Sequence, residues 1–299
     1  MKGLNNTKSG FQRWGLGWAF ISAVLVAFSP ACSTNDILTP ETPTTLSNSN
    51  FQDDRFQPLQ TADVVYLGES HDSAADHEAQ LDIIQELYTR NPDMAIALEM
   101  FQRPFQPVID RYLANEISEE ELVIQTEYMQ RWGFPWELYA PFLRFAKEND
   151  LPILALNSPN EISRKIAREG LESLEGDDLR YIPPLTEIDT SNENYREFVA
   201  SAFGAHGSHG SFNFDNFFAA QVMWDETMAM TIADFKTASP NTQVVVLTGK
   251  GHVIYGYGIP DRVQRRLGDD LTQQIVLLNP DGFMAEAEGA IADFFWYSE

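Results

Sequence analysis

The sequence predicts an α/β fold with an open, mainly parallel sheet, helices on both faces and a smaller helical subdomain. Short apolar runs rich in Val, Ile and Leu, without polar alternation, indicate strands that are buried on both faces. Helical stretches separate most of these runs, and alternating strands and helices are typical of a doubly wound sheet. The predicted strands are Val64–Leu67, Met94–Glu99, Pro152–Leu156, Val244–Leu247 and Ile275–Leu278.

The predicted helices carry apolar residues at helical spacing and end at recognisable signals. One of them is opened by Pro159 and Asn160 and stops at Gly170, because proline favours the start of a helix and glycine follows its end. The other helices predicted beside the sheet are Ala74–Thr89, Glu137–Glu148, Asn213–Lys236 and Pro260–Leu267.

Two longer segments, residues 101–140 and 171–240, do not fit simple strand–helix–strand crossovers. The first contains two extra predicted helices, Pro104–Ala114 and Glu119–Met129, and the second is also largely helical. We interpret both segments as helical insertions that pack beside the sheet and form a small lobe facing the site.

The acidic composition argues against a nucleic-acid partner. The 299-residue chain has 44 acidic and 20 basic side chains and a formal net charge of −24. Such a surface repels phosphate backbones and anionic lipid head groups. Any attachment to a membrane should therefore depend on a covalent or inserted anchor.

The N-terminal residues predict export and anchoring. A basic leader precedes an apolar run from Trp14 to Phe28, which is shorter than the roughly 20 residues of a membrane-spanning helix and is typical of a signal peptide. Cys32, the only cysteine, follows where a bacterial lipoprotein carries its acylated residue. We predict a signal peptide over residues 1–32, lipidation at Cys32 and a protein that is membrane-anchored in the bacterial cell envelope. The alternative is a free cysteine after a plain secretory signal.

The remaining chain divides into a tether and one domain. Residues 33–54 are rich in Ser, Thr, Asn and Pro and predict a flexible tether. Residues 55–299 predict the α/β domain with its two helical insertions. Because this domain contains no cysteine, it has no disulfide, cysteine nucleophile or thiolate metal site.

A duplicated strand–turn motif indicates a functional site. Val64–His71 and Val245–His252 share one plan: a buried strand, a glycine, two residues and a histidine. In a doubly wound sheet, ligands bind beyond the carboxyl ends of the strands, and glycine permits a sharp turn there. If the two strands are neighbours, both imidazoles point into one crevice.

Other polar residues end strands at the same predicted edge. Glu69 lies within the first turn, Glu99 ends the second strand and Asn157 ends the third. Imidazoles and carboxylates together suit zinc, manganese or iron, but they could equally form an acid/base pair in which a carboxylate orients a histidine. A further alternative is that Glu99 caps a helix. His77 is predicted to be structural or exposed. The candidate metal ligands are His71, His252, Glu99 and Glu69.

These motifs resemble the ChaN family of haem-binding lipoproteins linked to iron uptake. That family lies within a superfamily that includes Tiki metalloproteases and erythromycin esterases, and the resemblance covers roughly residues 55–280. The matching elements are the Gly68–His71 turn, the strand ending at Glu99, the stretch Ala155–Pro159, the helix Gln221–Ala229 and the Gly249–His252 turn.

The resemblance implies two different cofactors. The family implies haem held by tyrosine ligation at a dimer interface, so a homodimer is expected. The superfamily implies that paired Gly-x-x-His turns and a glutamate can form a metal-dependent hydrolytic site. Because both turns and the glutamate are present, haem and a divalent metal such as Mn, Zn or Fe both remain open.

Haem requires an apolar slot, an axial ligand and cations for its propionates. The segment Tyr128–Tyr139 supplies aromatics, two tyrosines and an arginine. We predict Tyr139 as the axial ligand, with Tyr128 as the second choice and Arg131 or Arg144 near a propionate. The alternative is an aromatic packing cluster.

The glycine-rich loop at residues 204–210 contains His206, which could reach over the crevice as a further ligand; a solvent-exposed loop is the alternative.

The sequence therefore supports three functions. The first is a haem-binding lipoprotein of haem and iron acquisition, without turnover. The second is a divalent-metal hydrolase acting on an ester or peptide, with His71, Glu99 and His252 as catalytic residues. The third is an adhesive or scaffolding lipoprotein with a vestigial site.

Overall fold

A parallel sheet forms the centre of the fold. The structure, a computed structural model, describes residues 43–205, 213–285 and 290–298. Within them, the strands are β1 (Thr44–Leu46), β2 (Val64–Glu69), β3 (Met94–Gln102), β4 (Ile153–Asn157), β5 (Gln243–Gly249), β6 (Gln273–Leu278) and β7 (Phe294–Trp296). These seven parallel strands form one sheet in the order β1-β7-β6-β2-β5-β3-β4, which confirms the predicted fold class.

Helices cover both faces of this sheet. Short 3-10 turns connect several of them, notably between residues 171 and 187. The helices are α1 (Gln57–Thr61), α2 (Ala74–Arg90), α3 (Gln106–Leu113), α4 (Glu119–Gln125), α5 (Tyr128–Arg131), α6 (Trp136–Glu148), α7 (Asn160–Glu169), α8 (Glu193–Ala205), α9 (Phe214–Ala238), α10 (Ile259–Leu267) and α11 (Gly282–Ala285).

The core forms one apolar layer on each face of the sheet, because side chains alternate along every strand. In β2, Val65 and Leu67 belong to the layer that contains α2, α3 and α6. Val64 and Tyr66 belong to the opposite layer, with α7, α9 and α10. Burial on both faces explains why these strands read as continuous apolar runs in the sequence.

The strand order places three strand ends side by side. β5 pairs with β2 on one side and with β3 on the other. In the first of these pairs, Glu69 lies opposite Gly249. All three strands are parallel, so their carboxyl ends meet at one edge of the sheet. The loops that follow them build the site described below.

The ordered fold begins before residue 55. Thr44–Leu46, within the predicted tether, pairs with β7, and Leu46 is fully buried. Both strands have three residues, too few for a pattern in the sequence to reveal. The predicted helix Glu119–Met129 is also wrong: it divides into α4 and α5 because Glu127 adopts a left-handed conformation with φ of 51°.

The predicted signal peptide, Cys32 and the first part of the tether lie outside the described residues. Among the residues that the structure does describe, no helix is both long and apolar enough to cross a membrane.

Leu46→Ala should lower the free energy of unfolding by about 2–5 kcal/mol, because it removes a fully buried leucine from the edge of the core. Urea denaturation of the variant and the wild type measures this loss. The matched control is Thr45→Ala at the exposed neighbouring position, which should change stability by no more than about 0.5 kcal/mol. Identical unfolding midpoints for Leu46→Ala and wild type would show that β1 is not part of the core.

Candidate functional site

The two histidine turns lie against one another at the carboxyl edge of the sheet. The ring of His71 packs on the backbone of the second turn, where a Cβ on Gly249 would be 2.9 Å from both Cε1 and Nε2 of His71. The same Cβ would be 3.8 Å from Oε2 of Glu99. A glycine is therefore required at position 249 for this close approach. The two turns follow neighbouring strands, which was the geometric condition for a shared crevice.

Glu99 lies between the two histidines. Its Oε2 accepts hydrogen bonds from the Thr248 hydroxyl (2.7 Å) and the Gly249 amide (2.8 Å), and its Oε1 lies 3.4 Å from Nε2 of His252. Burial favours the neutral acid, but the neighbouring histidines and these hydrogen bonds outweigh burial and lower the pKa of Glu99 to about 2. Glu99 is thus a buried carboxylate rather than a helix cap.

His252 is held between two carboxylates. Its Nδ1 lies 2.6 Å from Oδ1 of Asp225 in α9, and the Tyr195 hydroxyl donates to the other oxygen of Asp225 at 2.5 Å. Burial opposes a charged imidazole, but Glu99 and Asp225 outweigh it and raise the pKa of His252 to about 10. His252 is therefore an imidazolium at neutral pH, able to donate from both nitrogens.

His71 is the more accessible imidazole. Its Nδ1 lies 2.8 Å from Oε1 of Glu69, and its side chain is 23% exposed, compared with 7% for His252. The rings of Trp132 and Phe134 flank it, with centroids 4.7 and 5.3 Å away. Burial disfavours its charge, but the hydrogen bond to Glu69 and the nearby Glu99 raise the pKa of His71.

Glu69 anchors the first turn from beneath. His77 places Nδ1 3.0 Å from Oε2 of Glu69 and Nε2 3.2 Å from the carbonyl oxygen of His71. Burial raises the pKa of Glu69, but the hydrogen bonds from His71 and His77 reverse this and lower it. His77 is buried, so it supports the site, in agreement with the structural interpretation and not with the exposed one.

The two predicted tyrosines lie in the core. Tyr139 is fully buried and its hydroxyl donates to Oε1 of Glu69 at 2.8 Å. Burial and Glu69 raise the pKa of Tyr139, whereas a tyrosine ligates haem iron as a phenolate. Tyr128 is also buried and packs edge-on against Trp136 at 4.9 Å. The structure thus shows the packing cluster, and a ligand role for Tyr139 would require it to leave Glu69.

The predicted propionate partners are both ion-paired. Arg131 contacts Glu127 at 2.8 Å and Glu161 at 3.0 Å. Arg144 contacts Glu119 and Glu137. Either arginine would have to exchange a carboxylate for a propionate.

Two other predicted residues have different outcomes. Asn157 ends β4, as predicted, and its Nδ2 donates to the carbonyl oxygen of Glu99 at 2.9 Å. This contact fixes the backbone that carries the central carboxylate. His206 lies outside the described residues.

The sequence interpretation missed three residues that complete the site. Asp225 in α9 contacts His252, and Tyr195 in α8 donates to Asp225. Lys250 in the second histidine turn donates to Ser70 in the first. Asp225 lies within the motif at residues 221–229 and Lys250 within the second turn, so both positions were visible. Their partners were not, because each contact depends on how distant elements pack.

The arrangement suits proton transfer and ligation by His71. Among the residues that the structure describes, no three or more His, Cys, Asp or Glu side chains form a group that could hold a metal ion. The four predicted metal ligands do lie together, but their carboxylates are engaged by imidazoles, two hydroxyls and a backbone amide. The set is His71, His252, Glu99 and Glu69.

Comparisons with known proteins found a matching family model and solved structures to which this chain is similar. A family model described as "Haem-binding uptake, Tiki superfamily, ChaN" matches residues 56–263. The solved structure of cofacial haem binding to ChaN of Campylobacter jejuni superposes with a TM-score of 0.60 at 21% identity, covering 80% of this chain and 89% of that chain. A mutant erythromycin esterase in its open conformation has a TM-score of 0.45 at 16% identity, covering 74% of this chain and 71% of that one.

A curated plant relative is longer than this chain. Protein RETICULATA-RELATED 5, chloroplastic, from Arabidopsis thaliana is 28% identical in an alignment of 270 residues that covers 81% of this chain and 35% of the relative. The chain therefore spans about a third of that protein's length.

Asp225→Asn should lower the pKa of His252 by about 1 to 3, because it removes one of the two carboxylates that face the imidazole. Ring NMR signals recorded from pH 5 to 10.5 measure this change. In the wild type these signals should stay flat below about pH 8.5.

The raised pKa of His252 also makes the free energy of unfolding depend on pH. Its stabilising contribution is fully present below pH 6.5 and is lost as the pH rises through about 10. Asp215→Asn, an exposed position on the same helix, is the control and should leave the His252 titration unchanged. A wild-type midpoint near 6.5 would contradict the buried ion pair.

Proposed function

Because this chain belongs to the ChaN family of the Tiki superfamily, whose model matches residues 56–263, we propose that it binds haem at the histidine crevice. We further propose that it is a lipoprotein of the bacterial cell envelope that takes part in haem and iron acquisition. The observation that carries the haem proposal is the partly exposed imidazole of His71, held by a buried carboxylate and flanked by aromatic rings.

The exposure of the site groups selects His71 as the residue that a large planar ligand can reach. Its side chain is 23% exposed, whereas those of Glu69, Glu99 and His252 are 0%, 2% and 7% exposed. Its Nδ1 is engaged by Glu69, so an axial bond would form at Nε2, and the ring edge that carries Nε2 would have to move away from Gly249. A histidine that ligates a metal characteristically donates its other N–H to a carboxylate or carbonyl in this way.

The surroundings of His71 fit the rest of the haem group. Trp132 and Phe134 offer flat apolar faces beside the imidazole. The insertion that carries these two rings also exposes the apolar side chains of Met129 (51%) and Ile124 (65%). Arg131, next to Trp132 in sequence, could exchange a surface carboxylate for a propionate. Bound haem would supply an iron centre; the protein's part is to ligate it, cover its faces and balance its charge.

The anchor and the assembly belong to the same proposal. The signal-like N-terminus and Cys32 support lipidation, and the net charge of −24 makes an acyl anchor more suitable than electrostatic attachment to anionic lipids. A homodimer is expected from the family resemblance. Palmitate-analogue labelling of the mature protein tests the anchor, and sedimentation with and without haemin tests the dimer.

A second candidate function is hydrolysis of an ester or peptide. It is favoured by the two carboxylate–imidazole pairs, Glu69–His71 and Asp225–His252, that converge on Glu99. His71 in its neutral form would take a proton from water at Nε2. His252, protonated beside two carboxylates, would donate a proton to the leaving group. Both steps use only side chains of this chain.

Adding haemin to the full chain should produce a Soret band, and His71→Ala should weaken haemin affinity at least about tenfold because the axial bond is lost. Absorbance titration measures both. Tyr139→Phe removes only the hydroxyl that donates to Glu69 and should keep the wild-type band position. A band that moves in Tyr139→Phe but not in His71→Ala would assign the ligand to Tyr139. No spectral change in the wild type would refute haem binding.

If the site hydrolyses its ligand, Glu99→Gln should lower kcat by about 10²-fold or more, because the carboxylate between the imidazoles is lost without a change of shape. A panel of chromogenic esters and fluorogenic peptides provides the measurement. Glu120→Gln, on the exposed surface of α4, is the control and should retain wild-type turnover. A wild-type protein inactive on both panels would rule this candidate out.

A further inference from the structure

A buried ion-pair bridge joins the two histidine turns. Lys250, in the second turn, is only 7% exposed, and its Nζ donates to the Ser70 hydroxyl at 2.9 Å and to Oδ2 of Asp76 at 3.0 Å. Ser70 belongs to the first histidine turn, Gly68–His71. Asp76 lies near the start of helix α2. The lysine therefore connects the loop that carries His252 to the loop that carries His71.

The bridge lies where the sheet stops holding the turns together. The pairing of β2 with β5 ends at Glu69 and Gly249. Beyond this pair, the backbone hydrogen bonds of the two turns are local, from Ser73 to Ser70 at 2.8 Å and from Val253 to Lys250 at 3.1 Å. The connection from one turn to the other is then made by close packing, of His71 on Gly249 and of Gly68 near Lys250 and Val253, and by the polar contacts of the Lys250 side chain.

Asp76 is built to receive the lysine in a fixed place. Its Oδ2 also accepts the Ser70 amide at 2.8 Å, while Oδ1 accepts the Ser73 hydroxyl at 3.0 Å and Nδ2 of Asn279 at 2.8 Å. The first turn, α2 and the end of β6 thus all orient one carboxylate, which is itself 1% exposed. Because this carboxylate is held in one position, the ammonium group of Lys250 that donates to it is held in one position as well.

We propose that Lys250 is a positioning residue that sets the placement of His71 relative to His252 and Glu99. A buried ion pair is rarely more stabilising than apolar side chains of equal size, because desolvation offsets the attraction. Its location between the two turns supports a role in geometry. The expected effect of Lys250 on haem affinity rests on the proposed function. Its expected effect on the position of the His71 ring does not.

The chain contains a matched control for the burial of a lysine. Lys236 is 5% exposed and its Nζ contacts Oδ1 of Asp63 at 3.1 Å and the carbonyl oxygens of Pro240 and Thr242 at 2.8 and 3.0 Å. Asp63 and Thr242 immediately precede β2 and β5, so this lysine lies at the opposite edge of the sheet. Lys236→Met and Lys250→Met remove the same charge from similarly buried places.

The first measurement uses the full chain without ligand. Both methionine variants should lower Tm, by roughly 5–15 °C. In two-dimensional ¹H–¹⁵N spectra of the histidine rings, Lys250→Met should move the ring signals of His71, and Lys236→Met should leave them in place. Lys250→Arg should restore the His71 signals in part. Ser70→Ala, which removes one contact of the bridge, should give a smaller shift in the same direction and serves if Lys250→Met does not fold.

The second measurement is haemin titration of the same variants. Lys250→Met should bind haemin at least about tenfold more weakly, and Lys236→Met should stay within about twofold of the wild type. If wild-type protein does not bind haemin, the proposed function fails while the ring signals still decide the role of Lys250. His71 signals that respond equally to Lys250→Met and Lys236→Met, or not at all to Lys250→Met and Ser70→Ala, would overturn the inference.

Discussion

The site depends on burying several negative charges at one edge of the sheet. Glu69, Glu99 and Asp225 are each at most 2% exposed, and each has an imidazole nitrogen within 3.4 Å. Removing a carboxylate from water costs several kcal/mol unless a cation and hydrogen bonds compensate it. The histidines supply that compensation, so the charge of each group depends on its neighbours. A change at any one of these residues therefore affects the whole cluster.

The topology of the sheet makes this cluster possible. Because β5 lies between β2 and β3, the glycine turn of one strand faces the histidine of the other, with Glu99 from the third strand beneath both. The two cores on opposite faces then add support from different helices. Tyr139 in α6 reaches Glu69 from one face, and Asp225 in α9 reaches His252 from the other. The polar site is thus held by both apolar layers.

The features of this arrangement that could be predicted are those that a short stretch of sequence determines. Strands buried on both faces appear as apolar runs, and the duplicated Gly-x-x-His turns mark their carboxyl ends. Asp225 could not be paired with His252 from the sequence, since the contact depends on how α9 packs on the sheet. The aromatic segment before residue 140 meets the same limit: composition cannot distinguish a ligand slot from the core, and the burial of Tyr139 and Tyr128 appears only in the structure.

Haem ligation and proton transfer make the same initial demand on His71. Iron needs a lone pair on Nε2, and a general base needs the same lone pair to take a proton from water. Yet Glu69 and Glu99 raise the pKa of His71, so the surrounding carboxylates favour the form in which Nε2 carries a proton. Either function therefore begins with loss of that proton, and a ligand must compensate for the charge that His71 gives up. Because Glu99 is buried, a ligand that compensated for this charge would approach from the partly exposed side of His71, where Trp132 and Phe134 lie.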